Sequence, residues 1–120
     1  MLTVVAYGLA IVVVALVAFI GLRFLLAPEA AAAGYGVPAT PGVYVTVKGQ
    51  RDFVLALIGG ALLAFSDADA VGWYMLAGAI IPLTDTLIVL RNGGSRATAF
   101  GIHFATAVVL LVDAALLFSL

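Results

Sequence analysis

The feature that most constrains this chain is a set of long, uninterrupted apolar runs. Residues 2–22, LTVVAYGLAIVVVALVAFIGL, contain no charged side chain. A run of about 18 or more apolar residues is long enough to cross the hydrocarbon core of a bilayer as a helix. The composition agrees, because 66% of the 120 residues are hydrophobic and only 9% are charged. A soluble domain carries about 25% charged residues, so the sequence predicts an all-α integral membrane protein.

Four segments are predicted to span the membrane within a single domain that covers residues 1–120. The spans are residues 2–22, 43–65, 70–90 and 97–120. Short polar turns, SDADA and RNGGSR, join the last three spans, which predicts antiparallel neighbours. The expected fold is therefore a four-helix bundle in the membrane. The first span lacks the basic start of a signal peptide, so we expect it to be retained.

The connection between the first two spans is longer and contains a helix signal of its own. Pro28 suits the first turn of a helix, and a run of alanines follows it. Gly34 or Gly36 is expected to end this helix, and Pro38 and Pro41 then redirect the chain. We predict a short helix here that lies along the membrane interface.

Charge and composition exclude several classes of function. The net charge is −1, so the chain has no basic field to attract nucleic acid. The absence of cysteine excludes thiol and iron–sulfur chemistry. His103 is the only histidine, so neither a metal site within one chain nor a cofactor is expected. The expected partners are membrane lipids and a small lipophilic molecule.

The second predicted span carries three charges near its start, Lys48, Arg51 and Asp52. Asp85 in the third span and His103 in the fourth lie at a similar depth, about 10 Å from the same membrane face. Charges at this depth are tolerated where they face the interior of a bundle and find partners. An Arg51–Asp85 pair and a His103–Asp52 contact both fit, although the spacing leaves open which acid meets which base.

Other polar and small residues predict further contacts. A second polar layer, near the opposite membrane face, contains Tyr7, Tyr74 and Asp113. Asp113 is expected to hydrogen-bond to Tyr7 or to a backbone carbonyl. The spacing of Gly60 and Ala64 favours either a helix seam between two copies, most simply a dimer, or close packing within one chain. Pro82 predicts a kink in the third span, one turn before Asp85.

Three stretches carry a family resemblance over residues 21–107: GLRFLLAPEAAAAGYGVP, VKGQRD and IPLTDTLIVLRNGGSRATAFGIHFATA. They resemble a family of small four-span membrane proteins of unknown function, which is similar in layout to the DoxX-like membrane proteins. The resemblance implies four helices and brings no established activity. The positions that it marks are Arg23, Pro28, Lys48, Gly49, Arg51, Asp52, Pro82, Asp85, Gly94, Arg96 and His103.

The buried charges predict a site that holds the polar end of a small lipophilic or amphipathic ligand inside the bundle. The candidate ligand-binding residues are Lys48, Arg51, Asp52, Asp85, Arg96 and His103. The alternative is a cofactor-free membrane enzyme, an isomerase or cyclase, that uses His103 with Asp85 or Asp52 as an acid–base pair. A third hypothesis is a structural or accessory subunit in which the same groups only fix the register of the helices.

The basic residues predict the orientation of the chain in the cell membrane. All of them lie near the first or third connection: Arg23, Lys48, Arg51, Arg91 and Arg96. The second connection holds only Asp67 and Asp69. The positive-inside rule places the first and third connections in the cytoplasm and both termini on the other side of the membrane.

Single cysteines would report this orientation cleanly, because the native chain has none. An impermeant thiol reagent is expected to label Asp69→Cys in intact cells. It should miss Gly94→Cys until the membrane is permeabilised. The reverse labelling pattern would show that both termini are cytoplasmic.

Overall fold

A computed structural model describes residues 1–36 and 42–120, and all of its regular secondary structure over those residues is helical. The five helices are α1 (Leu2–Leu26), α2 (Pro28–Tyr35), α3 (Val43–Phe65), α4 (Ala68–Arg91) and α5 (Arg96–Phe118). The predicted redirection at Pro38 and Pro41 lies outside the described residues. α3 runs over the same residues as the second predicted span.

Among the described residues, three helices are long and apolar enough to cross a membrane: α1, α4 and α5. The chain is therefore suited to a membrane. α3 has 23 residues, which is also sufficient by length. It differs from the other three because three charges fall within five residues of its first half: Lys48, Arg51 and Asp52.

Two of the long helices contain backbone interruptions. α4 is broken at Ala79, between Ala68–Gly78 and Ile80–Arg91. The cause is Pro82, which has no N–H to donate to the carbonyl of Gly78 four residues earlier. The interruption lies three residues before Pro82, the position at which the sequence predicted a kink. In α5, residues Ala99–Phe104 form a π-helical turn, which the sequence analysis did not anticipate.

The long helices pack in pairs. α1 packs most closely with α3, α4 packs with α5, and α1 also contacts α5. A Cβ atom on Gly21 would lie 2.6 Å from the backbone nitrogen of Phe53, and one on Gly49 would lie 2.9 Å from the Cβ of Phe24. Neither position has room for a side chain. Glycine at both positions thus lets the backbones of α1 and α3 touch, as small residues do in membrane helix pairs.

Glycines also fix the end of α2. Gly36 follows the helix with a φ of 97°, a left-handed conformation that favours glycine. A Cβ atom there would collide with the side chain of Thr98, and one on Gly94 would collide with the carbonyl oxygen of Gly36. The end of α2 therefore lies directly against the turn between α4 and α5 and the first turn of α5.

The helix crossing at Gly21 predicts a position-dependent effect of alanine. Gly21→Ala should lower the free energy of unfolding by about 1–3 kcal/mol, because the new methyl group overpacks against a backbone. Gly8→Ala, on the same helix, is the matched control, since a Cβ atom at Gly8 meets nothing within 4 Å. Unfolding of the purified protein in detergent measures both. Equal stability of the two variants would contradict the close crossing.

Candidate functional site

A cavity of about 480 Å³ lies between the α1–α3 pair and the α4–α5 pair, with α2 contributing to its wall. Most of its lining is apolar, including Val13, Val17, Leu55, Ile81 and Leu110. All the charged side chains of the lining, together with Tyr35 and His103, lie toward the same end of the cavity. They are Arg23, Tyr35, Lys48, Asp52, Asp85 and His103. The rest of the lining is mostly apolar, with Tyr74 and Thr106 as its polar members.

Tyr35, the last residue of α2, connects this end of the cavity to the opposite pair of helices. Its hydroxyl donates to Oδ1 of Asp85 at 2.7 Å. Its carbonyl oxygen lies 2.8 Å from Nε2 of His103, and the two rings are 4.7 Å apart. The other nitrogen of His103, Nδ1, lies 3.9 Å from Oδ2 of Asp85. Three helices thus meet at these three residues.

Lys48 and Asp52 form a second polar contact one turn apart on α3. Nζ of Lys48 lies 2.6 Å from Oδ2 of Asp52. The ammonium group also lies over the ring of Phe24, 4.6 Å from its centre, and 5.7 Å from the centre of the Tyr35 ring. The charges of Lys48 and Asp52 therefore compensate each other, and aromatic rings cover the ammonium group.

The protonation of Tyr35 limits what it can do. Burial of the phenol, followed by its hydrogen bond to Asp85 and the negative charges of Asp85 and Asp52, raises the pKa of Tyr35 above its ordinary value near 10. The phenol therefore stays protonated at neutral pH. Tyr35 is a hydrogen-bond donor to the acid rather than a base.

The structure changes the predicted pairings. The partner of Asp52 is Lys48 rather than His103. The hydrogen-bond partner of Asp85 is Tyr35 rather than Arg51, and His103 lies beside Asp85 at 3.9 Å. Of the other predicted ligand-binding residues, Arg51 and Arg96 are exposed and do not line the cavity. Helix rotation explains the position of Arg51, because Arg51 and Asp52 lie about 60° and 40° from Lys48 in opposite directions around α3. The two are about 100° apart, and the side that faces the cavity is that of Asp52.

Tyr35 is the site residue that the sequence analysis missed. The signal was its place at the end of a short helix that begins at Pro28 and ends at Gly36, inside a stretch that carries the family resemblance. The Lys48–Asp52 pair also had a signal, since opposite charges four residues apart meet on a helix.

The second predicted polar layer does not form a connected network in the described part of the chain. Tyr74 lines the cavity, and its hydroxyl donates to the carbonyl oxygen of Leu55 at 2.5 Å. Asp113 is fully buried, and neither of its carboxyl oxygens has a hydrogen-bond partner among the described residues. Tyr7 packs at the edge of the apolar core. The expected bond from Asp113 to Tyr7 or to a backbone carbonyl is therefore absent among the described residues.

Over residues 1–36 and 42–120, no three histidine, aspartate or glutamate side chains come together as a metal ion would require. The arrangement instead offers hydrogen bonds and a compensated set of charges at the end of an apolar cavity. Such a site suits an amphipathic organic molecule.

Tyr35→Phe is expected to destabilise the protein by about 1–3 kcal/mol, because it leaves Oδ1 of the half-buried Asp85 without its donor. Tyr44→Phe is the matched control, since Tyr44 is 89% exposed. Unfolding in detergent at pH 7 measures both variants.

The pH dependence gives a further check on the same hydrogen bond. A raised pKa means that folded Tyr35 holds its proton more tightly than the unfolded chain does. The contribution of Tyr35 to the free energy of unfolding is therefore complete below pH 10 and is lost as the pH rises above that value. Wild type should lose more stability than Tyr35→Phe in this alkaline range; parallel curves would contradict the bond.

Comparison with known proteins identifies a family and no activity. No curated protein and no solved structure matches the chain. Residues 14–117 match the family described as a domain of unknown function, DUF4267. This range contains the cavity residues from α2 to His103 and extends beyond the three stretches that carried the resemblance. The match covers most of the chain, and the chain therefore belongs to this DUF4267 family.

Proposed function

We propose that this protein binds one small lipophilic or amphipathic molecule between its helix pairs. The apolar part of the molecule lies along the cavity, and its head lies at the end formed by Tyr35, Lys48, Asp52, Asp85 and His103. The observation that carries this proposal is the mostly apolar cavity of about 480 Å³ with its charged groups at one end. That volume lies within the range of about 300–1,000 Å³ that small-molecule sites occupy.

The same polar groups are less easily explained as a purely structural network. The α1–α3 crossing is already specified by Gly21 and Gly49, which need no charge to hold their register. Ionisable groups at membrane depth are costly, and those that persist commonly mark a ligand or proton site. His103 is 8% exposed and faces a cavity rather than a filled core.

The test is native mass spectrometry of protein released from membranes in a mild detergent, followed by analysis of a solvent extract. One copy of a defined lipophile per chain is expected. Gly78→Leu should abolish this adduct by filling the cavity, because Gly78 lines it and a Cβ atom there lies 3.5 Å from Leu110. Gly8→Leu, which points into open space, should retain it. A folded wild type without any adduct, and without saturable uptake of added lipophiles, would contradict the proposal.

A cofactor-free isomerase or cyclase is the second candidate. The observation in its favour is that His103 and Asp85 lie 3.9 Å apart and both line the cavity. Asp52 is less suited to the acid–base pair because it is bonded to Lys48. If the chain is an enzyme, the extracted lipophile should change in mass or retention time during incubation with wild type and remain unchanged with Asp85→Asn. A binder leaves it unchanged with both.

A dimer in the cell membrane, with four spans and both termini outside the cytoplasm, completes the proposal. Gly60 supports a seam between copies, because a Cβ atom there meets nothing within 4 Å of its own chain. The likeness in layout to DoxX-like proteins stays a prediction. The native mass spectrum also counts the copies, and monomers alone would contradict the dimer. A copurifying protein without any lipophile would favour an accessory subunit instead.

A further inference from the structure

The polar end of the cavity presents two hydrogen-bond acceptors side by side. We infer that it takes a lipophile whose head group is a hydroxyl, as in a long-chain alcohol or an alkylphenol, rather than a carboxylate. This inference rests on the proposed binding function and specifies its ligand class.

The first acceptor follows from the hydrogen bond of His103. Its Nε2 lies 2.8 Å from the carbonyl oxygen of Tyr35. A carbonyl oxygen only accepts, so Nε2 carries the hydrogen and donates it. With Nε2 as the donor, the neutral form of the ring has its lone pair on Nδ1. In this tautomer Nδ1 of His103, a side chain that lines the cavity, is the acceptor.

The second acceptor is Oδ2 of Asp85. The phenol of Tyr35 already donates to Oδ1 of the same carboxylate. Oδ2 lies 3.9 Å from Nδ1 of His103, which is too long for a hydrogen bond. A carboxylate oxygen and an unprotonated imidazole nitrogen do not bond each other, because neither holds a hydrogen. A hydroxyl group placed beside this pair can donate to either atom.

The formal charges around this end of the cavity cancel, so it has no net positive charge to attract an anionic head. Arg23 and Lys48 supply two positive charges to the lining, and Asp52 and Asp85 supply two negative ones. Lys48 is already held by Asp52 at 2.6 Å. A carboxylate head has no hydrogen to donate to Nδ1 of His103 or Oδ2 of Asp85, and its negative charge would be repelled by Asp85. A neutral hydroxyl supplies the donor without adding charge.

The test is a titration of the wild-type protein with four probes of matched chain: 1-decanol, 4-nonylphenol, decyl methyl ether and decanoate. Native mass spectrometry gives the dissociation constants. The alcohol and the phenol are expected to bind at least ~10-fold tighter than the ether, which cannot donate, and than decanoate. A tenfold difference corresponds to about 1.4 kcal/mol.

A single substitution assigns this preference to the acceptor pair. In Asp85→Asn the amide oxygen still accepts from Tyr35, while the amide N–H₂ replaces the second acceptor and leaves Nδ1 of His103 as the remaining one. The preference for a hydroxyl over the ether should then fall. Asp69→Asn makes the same chemical change at an exposed position of the same helix and should keep the preference.

The outcomes separate the two proposals. If all four probes bind wild type equally, or if decanoate binds most tightly, the hydroxyl inference is wrong and the binding function stands. If Asp85→Asn folds and keeps the full preference, the acceptor pair is not its source, and the inference is also wrong. If no probe binds, the binding function itself fails. The wild-type series decides the head-group class even if Asp85→Asn does not fold.

Discussion

The cavity depends on the double contact that Tyr35 makes across the molecule. α2 has only eight residues, and a helix of that length is not stable by itself. Its position is fixed by tertiary contacts: the phenol of Tyr35 donates to Asp85 on α4, and its carbonyl accepts from His103 on α5. The same contacts satisfy polar atoms that would otherwise face an apolar surrounding. The two hydrogen bonds of Tyr35 therefore hold α2 in place and also satisfy the polar atoms of Asp85 and His103.

The two pairs of helices serve this cavity in different ways. α1 and α3 approach until their backbones touch at Gly21 and Gly49. The opposite pair is irregular, since α4 breaks at Ala79 and α5 forms a π-helical turn at Ala99–Phe104. Both irregular segments border the cavity, through Gly78 and Pro82 on α4 and through Ile102 and His103 on α5. Irregular backbone within a membrane protein is tolerated where it is buried or lines a cavity, and π-helical turns often occur at functional sites.

The sequence predicted the features that depend on hydrophobic pattern and on helix rise. Val43 and Phe65 bound α3 because the apolar pattern requires a helix long enough to include its charges. Asp85 and His103 meet because each lies at a similar distance from a polar turn. Distance along a helix is well determined by residue number alone.

The sequence could not predict the features that depend on helix rotation and on partners from distant segments. A rotation of a few tens of degrees decides whether Lys48 or Arg51 faces the cavity, and apolar composition does not specify it. The π-helical turn changes the face of α5 on which His103 lies, and no residue type in the turn predicts a π-helix. Tyr35 belongs to a connecting segment whose position is set by contacts with Thr98 and with the turn at Gly94.

The arrangement of donors and acceptors also bears on which of the two proposed functions, binding or turnover, this site suits better. An isomerase or cyclase requires a base and an acid at opposite ends of one proton transfer. Nδ1 of His103 can serve as the base, but the acid is harder to supply. The raised pKa of Tyr35 makes its phenol a poor proton donor, and that proton already bonds Asp85. Lys48 is engaged by Asp52. The site can therefore accept a hydrogen bond from the head of a bound molecule more readily than it can donate a proton to another atom of that molecule. This difference favours binding over turnover.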